Sequence, residues 1–129
     1  MNPVVHFEMP AEDRKRMIEF YTKTFGWTAQ QLGSEMGDYV RVSTSETGPK
    51  GFPVEPGRIN GGFYQKTPDA PHPSIVIGVE DIHAHVKKVN EVGGKVLTEV
   101  MEIPGVGHFA TFLDTEGNRV SMIQPTPMS

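Results

Sequence analysis

Two side chains near the start of the chain have the types and spacing for proton chemistry. His6 and Glu8 alternate within Val4-Val5-His6-Phe7-Glu8-Met9-Pro10. On a strand, residues two apart point to one face, so an imidazole and a carboxylate would stand side by side there. A carboxylate facing a cavity is costly unless paired or solvated. A His6–Glu8 pair would tune a general base, which makes these two the leading catalytic candidates. The plainer reading of His6 is a partly buried, hydrogen-bonded histidine. Arg41 carries the guanidinium needed to clamp a carboxylate. Tyr39 and Tyr64 suit either substrate contact or packing at the core or rim. Gln124 fits a hydrogen bond into a cleft or a strand-end contact. His108 follows Gly105-Val106-Gly107 and could cap a cleft when that loop closes, or simply start a strand.

Other motifs carry less. His83 and His85 lie two apart on a helix and do not share a face, so they read as solvated surface. Gly105 and Gly107 lack the strand-to-helix context and the lysine of a phosphate loop. Arg14-Lys15-Arg16 sits beside Glu12, Asp13 and Glu19, a solvated helix face rather than an anion site. Met101, Met122 and Trp27 read as core or cavity lining.

The elements that must position these residues follow from pattern. Residues 3–9 suit a strand closed by Pro10, and residues 11–25 a helix whose Met17, Phe20, Tyr21 and Phe25 form an apolar face. Gly26 suits a left-handed helix end. Strands are expected at 27–31, 38–44 and 59–65, with a loop over 45–57 and a stiff linker over 66–73 that holds three prolines. The glycines in Asn60-Gly61-Gly62 suggest a bulge or a close approach by another group. The plan then repeats. Residues 74–79 suit a strand, Asp81 an N-cap, and Ile82, Val86, Val89 and Val92 a helical stripe closed by Gly93-Gly94. Strands follow at 95–103, 108–113 and 119–124, with a hairpin turn over 114–118. Two strand–helix–three-strand modules, about 1–65 and 74–129, predict one α+β domain with a curved mixed sheet around a cleft. A ferredoxin-like arrangement is the alternative, with fewer strands after each helix.

At 129 residues and a net charge of -4, the chain fits one soluble domain with no general attraction to nucleic acid or membrane. It holds no cysteine, which removes disulfides, thiol catalysis and thiolate metal sites and fits the cytoplasm. No apolar run reaches transmembrane length, and the start lacks a signal-peptide pattern.

Glu19-Phe20-Tyr21 before Phe25-Gly26-Trp27, Val79-Glu80-Asp81-Ile82 leading into a helix, and Asp114-Thr115-Glu116-Gly117-Asn118 before the last strand belong together. In that order and spacing the chain resembles the vicinal oxygen chelate superfamily: glyoxalases, bleomycin resistance proteins and extradiol dioxygenases. Ile103-Pro104-Gly105-Val106-Gly107 is similar to its small bacterial glyoxalase-related branch. Metal-using members place His, Glu or Gln ligands on the first and last strands of each module. Carried over by position, those places read here as His6, with Glu8 as alternative, then Gly62, Ser74 and Ser121. A glycine and two hydroxyls do not hold a divalent ion as imidazole or carboxylate does, so the resemblance with this ligand set implies no cofactor. If a divalent metal binds, His6 and Glu8 are its ligands, with His72 and His108 completing a shifted set. Ser74 and Ser121 then become substrate-contact candidates.

The resemblance implies a homodimer that takes a small polar organic molecule. Its expected chemistry is a lyase or isomerase reaction by proton transfer beside a carbonyl, with Glu8 or His6 as base. The alternatives are a non-catalytic module that sequesters an antibiotic or senses a metabolite, and a metal-dependent lyase or dioxygenase.

Overall fold

A computed structural model describes residues 1–49 and 51–126. Among them, the chain forms β1 (Val4–Ala11), α1 (Arg14–Phe25), β2 (Thr28–Gln31), β3 (Val40–Ser43), β4 (Asn60–Gln65), β5 (Ser74–Gly78), α2 (Ile82–Glu91), β6 (Lys95–Val96), β7 (Met101–Ile103), β8 (Gly107–Leu113) and β9 (Arg119–Pro125). The class is α+β. The chain divides into two compact units, His6–Pro73 and Met1–Val5 with the residues from Ser74 onward. The linker over 66–73 thus goes with the first unit, and the first five residues go with the second. Within the second unit the Gly78 N–H donates to the Pro3 carbonyl at 2.8 Å.

The first unit has strand order β2-β3-β4-β1. β1 and β4 are parallel, while β3 is antiparallel to β2 and to β4. Pro10 does not stop β1: it pairs with Tyr64, and the strand runs on to Ala11, whose carbonyl takes the Lys66 N–H at 2.9 Å. The helix therefore starts later than residue 11, at Arg14. Asp13 caps it by accepting the Arg16 N–H at 3.1 Å. Gly26 ends it with φ 73, the left-handed conformation that glycine adopts without strain. Val40, Val42 and Phe63 are buried, and Phe7, Met9, Met17, Ile18, Tyr21, Trp27 and Ala29 pack around them. Tyr21 stacks on Trp27 with ring centroids 4.6 Å apart. Phe20 and Phe25, expected on the inward face, are 56% and 61% exposed, and Ile18 takes the place in the core. Phe20 meets Tyr21 edge-on, and Phe25 lies in the last turn beside Trp27.

The second unit repeats the plan. β5 and β9 are parallel, β9 and β8 antiparallel, and β6 and β7 both pair with β8. The strand expected over 95–103 is broken in two. Val96 pairs with Phe112 and Met101 with Phe109, so the edge carries two extra residues between them. The Thr98 hydroxyl accepts the Thr111 N–H at 3.0 Å and satisfies the ladder across the break. Val79, Ile82, Ala110 and Met122 form the core, with Ile77, Val86, Val100 and Phe112 against it. Val92 lies beyond the last turn and is 69% exposed. Asp114 organises the final hairpin by accepting the N–H groups of Glu116 and Asn118, both at 2.9 Å.

Asp81 caps α2 by accepting the Ala84 N–H at 3.1 Å. Asp81→Ala is expected to cost about 1 kcal/mol, read as a lower midpoint in a urea melt.

Candidate functional site

Alternation along the first unit's strands sorts its residues into two faces. Phe7, Met9, Val40, Val42 and Phe63 point to α1. The intervening residues point the other way. Across the strands Glu8 pairs with Gly62, and Gly62 with Arg41, so these three share one row on the helix-free face. His6 and Asn60 make the next row. Tyr39 directly precedes β3 and shares the parity of Arg41.

Tyr39 links the two candidates for proton chemistry. Its hydroxyl lies 3.0 Å from His6 Nε2. The Glu8 carboxylate acts on the same hydroxyl through its charge and hydrogen bonding, which hold the phenol's proton in place. A phenol has one proton and a carboxylate only accepts, so the O–H donates to Glu8. The phenol oxygen must then accept from His6, which assigns the proton to Nε2 and leaves Nδ1 as an acceptor. Burial pushes the His6 imidazole from its ordinary 6.5 down to about 4, so the ring is neutral near pH 7. Burial, followed by the charge and hydrogen bond of Glu8, pushes the Tyr39 phenol well above its usual range and keeps it protonated.

Gly62 makes room for this arrangement. A Cβ on Gly62 would collide with the Tyr39 hydroxyl and ring. Gly61 does the same on the helix side, where the Phe7 ring lies against it. The glycine pair thus marks two close approaches and not a bulge, since the β1–β4 register runs unbroken from His6 to Ala11. Gly62→Ala is expected to push the phenol from its seat and cost about 1–3 kcal/mol, measured by urea melting.

The other candidates are placed as follows. Arg41 is exposed on the helix-free face. The Tyr64 hydroxyl lies 3.1 Å from the carbonyls of Ala70 and His72, and so ties down the linker. In the second unit the Ser121 hydroxyl is buried and lies 3.0 Å from that of Thr111. Ser74 is half-buried in β5. His108 and Gln124 pair with each other and share parity with Ala110 and Met122, the face that packs on α2. Their side chains are used there: Gln124 Oε1 accepts the Ile82 N–H at 3.0 Å, and His108 Nε2 lies 3.8 Å from the Glu102 carboxylate. His72 is exposed. A groove of about 540 Å³ in the first unit lies on the helix side, lined by Met9, Met17, Phe20, Tyr21 and Pro71 among others. The proton-handling groups are on the opposite face.

The residues at the ligand positions that the resemblance implies do not fit a divalent metal. Position 62 brings no side chain, and the volume beside it is filled by the Tyr39 phenol. His6 Nε2 already holds that phenol, and Ser121 is occupied by Thr111. Among the described residues no three His, Asp or Glu side chains converge as a metal site would need.

Sequence reasoning treated Tyr39 as a substrate or packing residue and missed its bridging place. The signal was a glycine at a ligand position together with a tyrosine at the start of the neighbouring strand.

The model of the Glyoxalase/Bleomycin resistance protein/Dioxygenase superfamily matches residues 4–122. A glyoxylase-like domain-containing protein of Didymella fabae is 33% identical over 114 residues, covering 86% of this chain and 84% of its own length. The anthracycline biosynthesis protein DnrV of Streptomyces peucetius is 27% identical over 124 residues, covering 86% of this chain, which spans only 42% of that relative. The solved structure of a methylmalonyl-CoA epimerase in complex with methylmalonyl-CoA and NH4+ superposes with a TM-score of 0.70 at 15% identity, covering 98% of this chain and 96% of that one. This last likeness is one of fold.

Proposed function

The chain belongs to the Glyoxalase/Bleomycin resistance protein/Dioxygenase superfamily, and from that premise we propose that it binds a small carbonyl compound and moves a proton on the carbon beside the carbonyl. The observation that supports this reading is the hydrogen-bonded run His6–Tyr39–Glu8 on the helix-free face of the first unit. Glu8 is the base. His6, neutral and proton-donating through Nε2, orients the phenol that in turn orients Glu8. Arg41, in the Glu8 row, would meet an anionic end of the bound molecule. An epimerase shares this fold, so the fold accommodates isomerase chemistry on an acyl thioester.

The proposal includes a reaction without a bound metal, because the donor set at the ligand positions does not suit one. Dialysis against a chelator is expected to leave the exchange rate unchanged, and loss of the rate with recovery on adding a divalent ion would contradict that. A homodimer working in the cytoplasm completes the reading, and sedimentation equilibrium tests its oligomeric part.

The function itself is tested by proton washout. The protein is incubated in D2O with a panel of acyl thioesters, 2-oxo acids and glutathione hemithioacetals, and loss of the α-proton signal is followed by NMR. Exchange of at least one compound at a rate proportional to protein concentration is expected. Binding of panel members with no exchange of any would replace the enzyme by a binding module.

A further inference from the structure

We propose that Tyr39 is the group that meets the carbonyl oxygen of the bound molecule, its phenol seated over Gly62 in the volume a side chain there would fill. This deepens the proton-transfer reading and rests on it. From the start of β3 the phenol reaches over Gly62, in the middle of the Glu8–Gly62–Arg41 row, where a Cβ would collide with its hydroxyl. A molecule whose α-carbon approaches the Glu8 carboxylate therefore brings its carbonyl oxygen to the Tyr39 hydroxyl.

At rest the Tyr39 O–H donates to Glu8 and its oxygen accepts from His6 Nε2–H. With a carbonyl bound, the O–H turns to the carbonyl oxygen while His6 keeps hold of the phenol oxygen. Glu8 then loses a hydrogen bond that stabilised its charged form, and so becomes a stronger base. The α-C–H bond breaks, its proton goes to the carboxylate, and its electron pair moves into the carbonyl to give an enolate. The Tyr39 O–H stabilises the oxyanion through a hydrogen bond and transfers nothing. Return of the proton from Glu8 to carbon closes the sequence with all charges balanced. A preorganised donor aimed at a developing oxyanion is worth far more than the same contact in the ground state.

The test separates this role from packing and from the reaction itself. In Glu8→Gln the neutral amide mimics the protonated carboxyl that faces the enolate. The probe is the nitronate anion of 2-nitropropane, an enolate mimic, against neutral 2-nitropropane, both titrated by NMR. Glu8→Gln is expected to prefer the nitronate, and Glu8→Gln with Tyr39→Phe to bind it about 100-fold more weakly while losing much less affinity for the neutral parent. Equal nitronate affinity in the two proteins, a parallel loss for the neutral parent, or no nitronate binding to Glu8→Gln would each overturn the role of Tyr39. If Tyr39→Phe does not fold, 3-fluorotyrosine at position 39 replaces it; its more acidic phenol is expected to tighten the nitronate, and unchanged affinity overturns the inference. A nitronate preference that depends on Tyr39, in a protein that exchanges no α-proton, would uphold Tyr39 and defeat the proton-transfer reading.

Discussion

Glu8→Gln is expected to lower the rate of α-proton exchange by roughly 10²–10⁴-fold, the usual span for removing a positioned general base. The change keeps the size of the side chain, and the amide oxygen still accepts the Tyr39 O–H. The hydrogen-bonded run and the strand register therefore stay, and the loss is one of proton affinity. KM is expected to change little, because substrate is held by contacts the substitution leaves alone. Washout kinetics in D2O on wild type and variant measure both parameters. A variant that exchanges at the wild-type rate would remove Glu8 from the reaction and return attention to His6 Nδ1.

The second large effect is on stability. Folded His6 resists protonation until about pH 4, whereas its ordinary value is 6.5. Below the ordinary value the unfolded chain takes up a proton that the folded chain refuses, so stability falls as pH drops through this window. The full difference amounts to about 3 kcal/mol once pH is below the folded value, and is absent above the unfolded one. Urea melts of wild type and His6→Asn across this range measure it. Wild type should lose about 3 kcal/mol more than the variant on acidification, since asparagine carries no proton equilibrium. Parallel loss in both would mean that the ring is not held neutral by burial.

Much of the fold was legible because each element announced itself by period. Strand alternation and the helical spacing of Met17 and Tyr21, and of Ile82 and Val86, hold in the structure. The end signals at Gly26 and Asp81 hold as well. The errors came where local signals compete. Pro10 reads as a stop, yet its pairing with Tyr64 keeps the strand intact, and Asp13 sets the helix start. Nothing between residues 95 and 103 announces a break, because the Thr98 hydroxyl that takes up the Thr111 N–H there acts across the ladder and not along the chain.

At the site, the shared face of His6 and Glu8 followed from a period of two. The connection between them did not, because it depends on the register of three strands and on a side chain that Gly62 lacks. For His108 and Gln124 the plainer readings, a strand-start histidine and a strand-end contact, agree with their parity: both alternate in phase with Ala110 and Met122, which are buried against α2. Tyr64 could be assigned to the linker only once the linker was seen to fold back on it.

The most direct test is the proton on His6, read by ¹H–¹⁵N NMR of the imidazole through a pH titration. The expected spectrum shows a neutral ring at pH 7 with the proton on Nε2, Nδ1 bare, no titration until near pH 4, and no shift on adding a divalent metal. An imidazolium already formed near pH 6.5, a proton on Nδ1 instead, or metal-induced shifts would contradict a neutral donor chain that ends on Glu8.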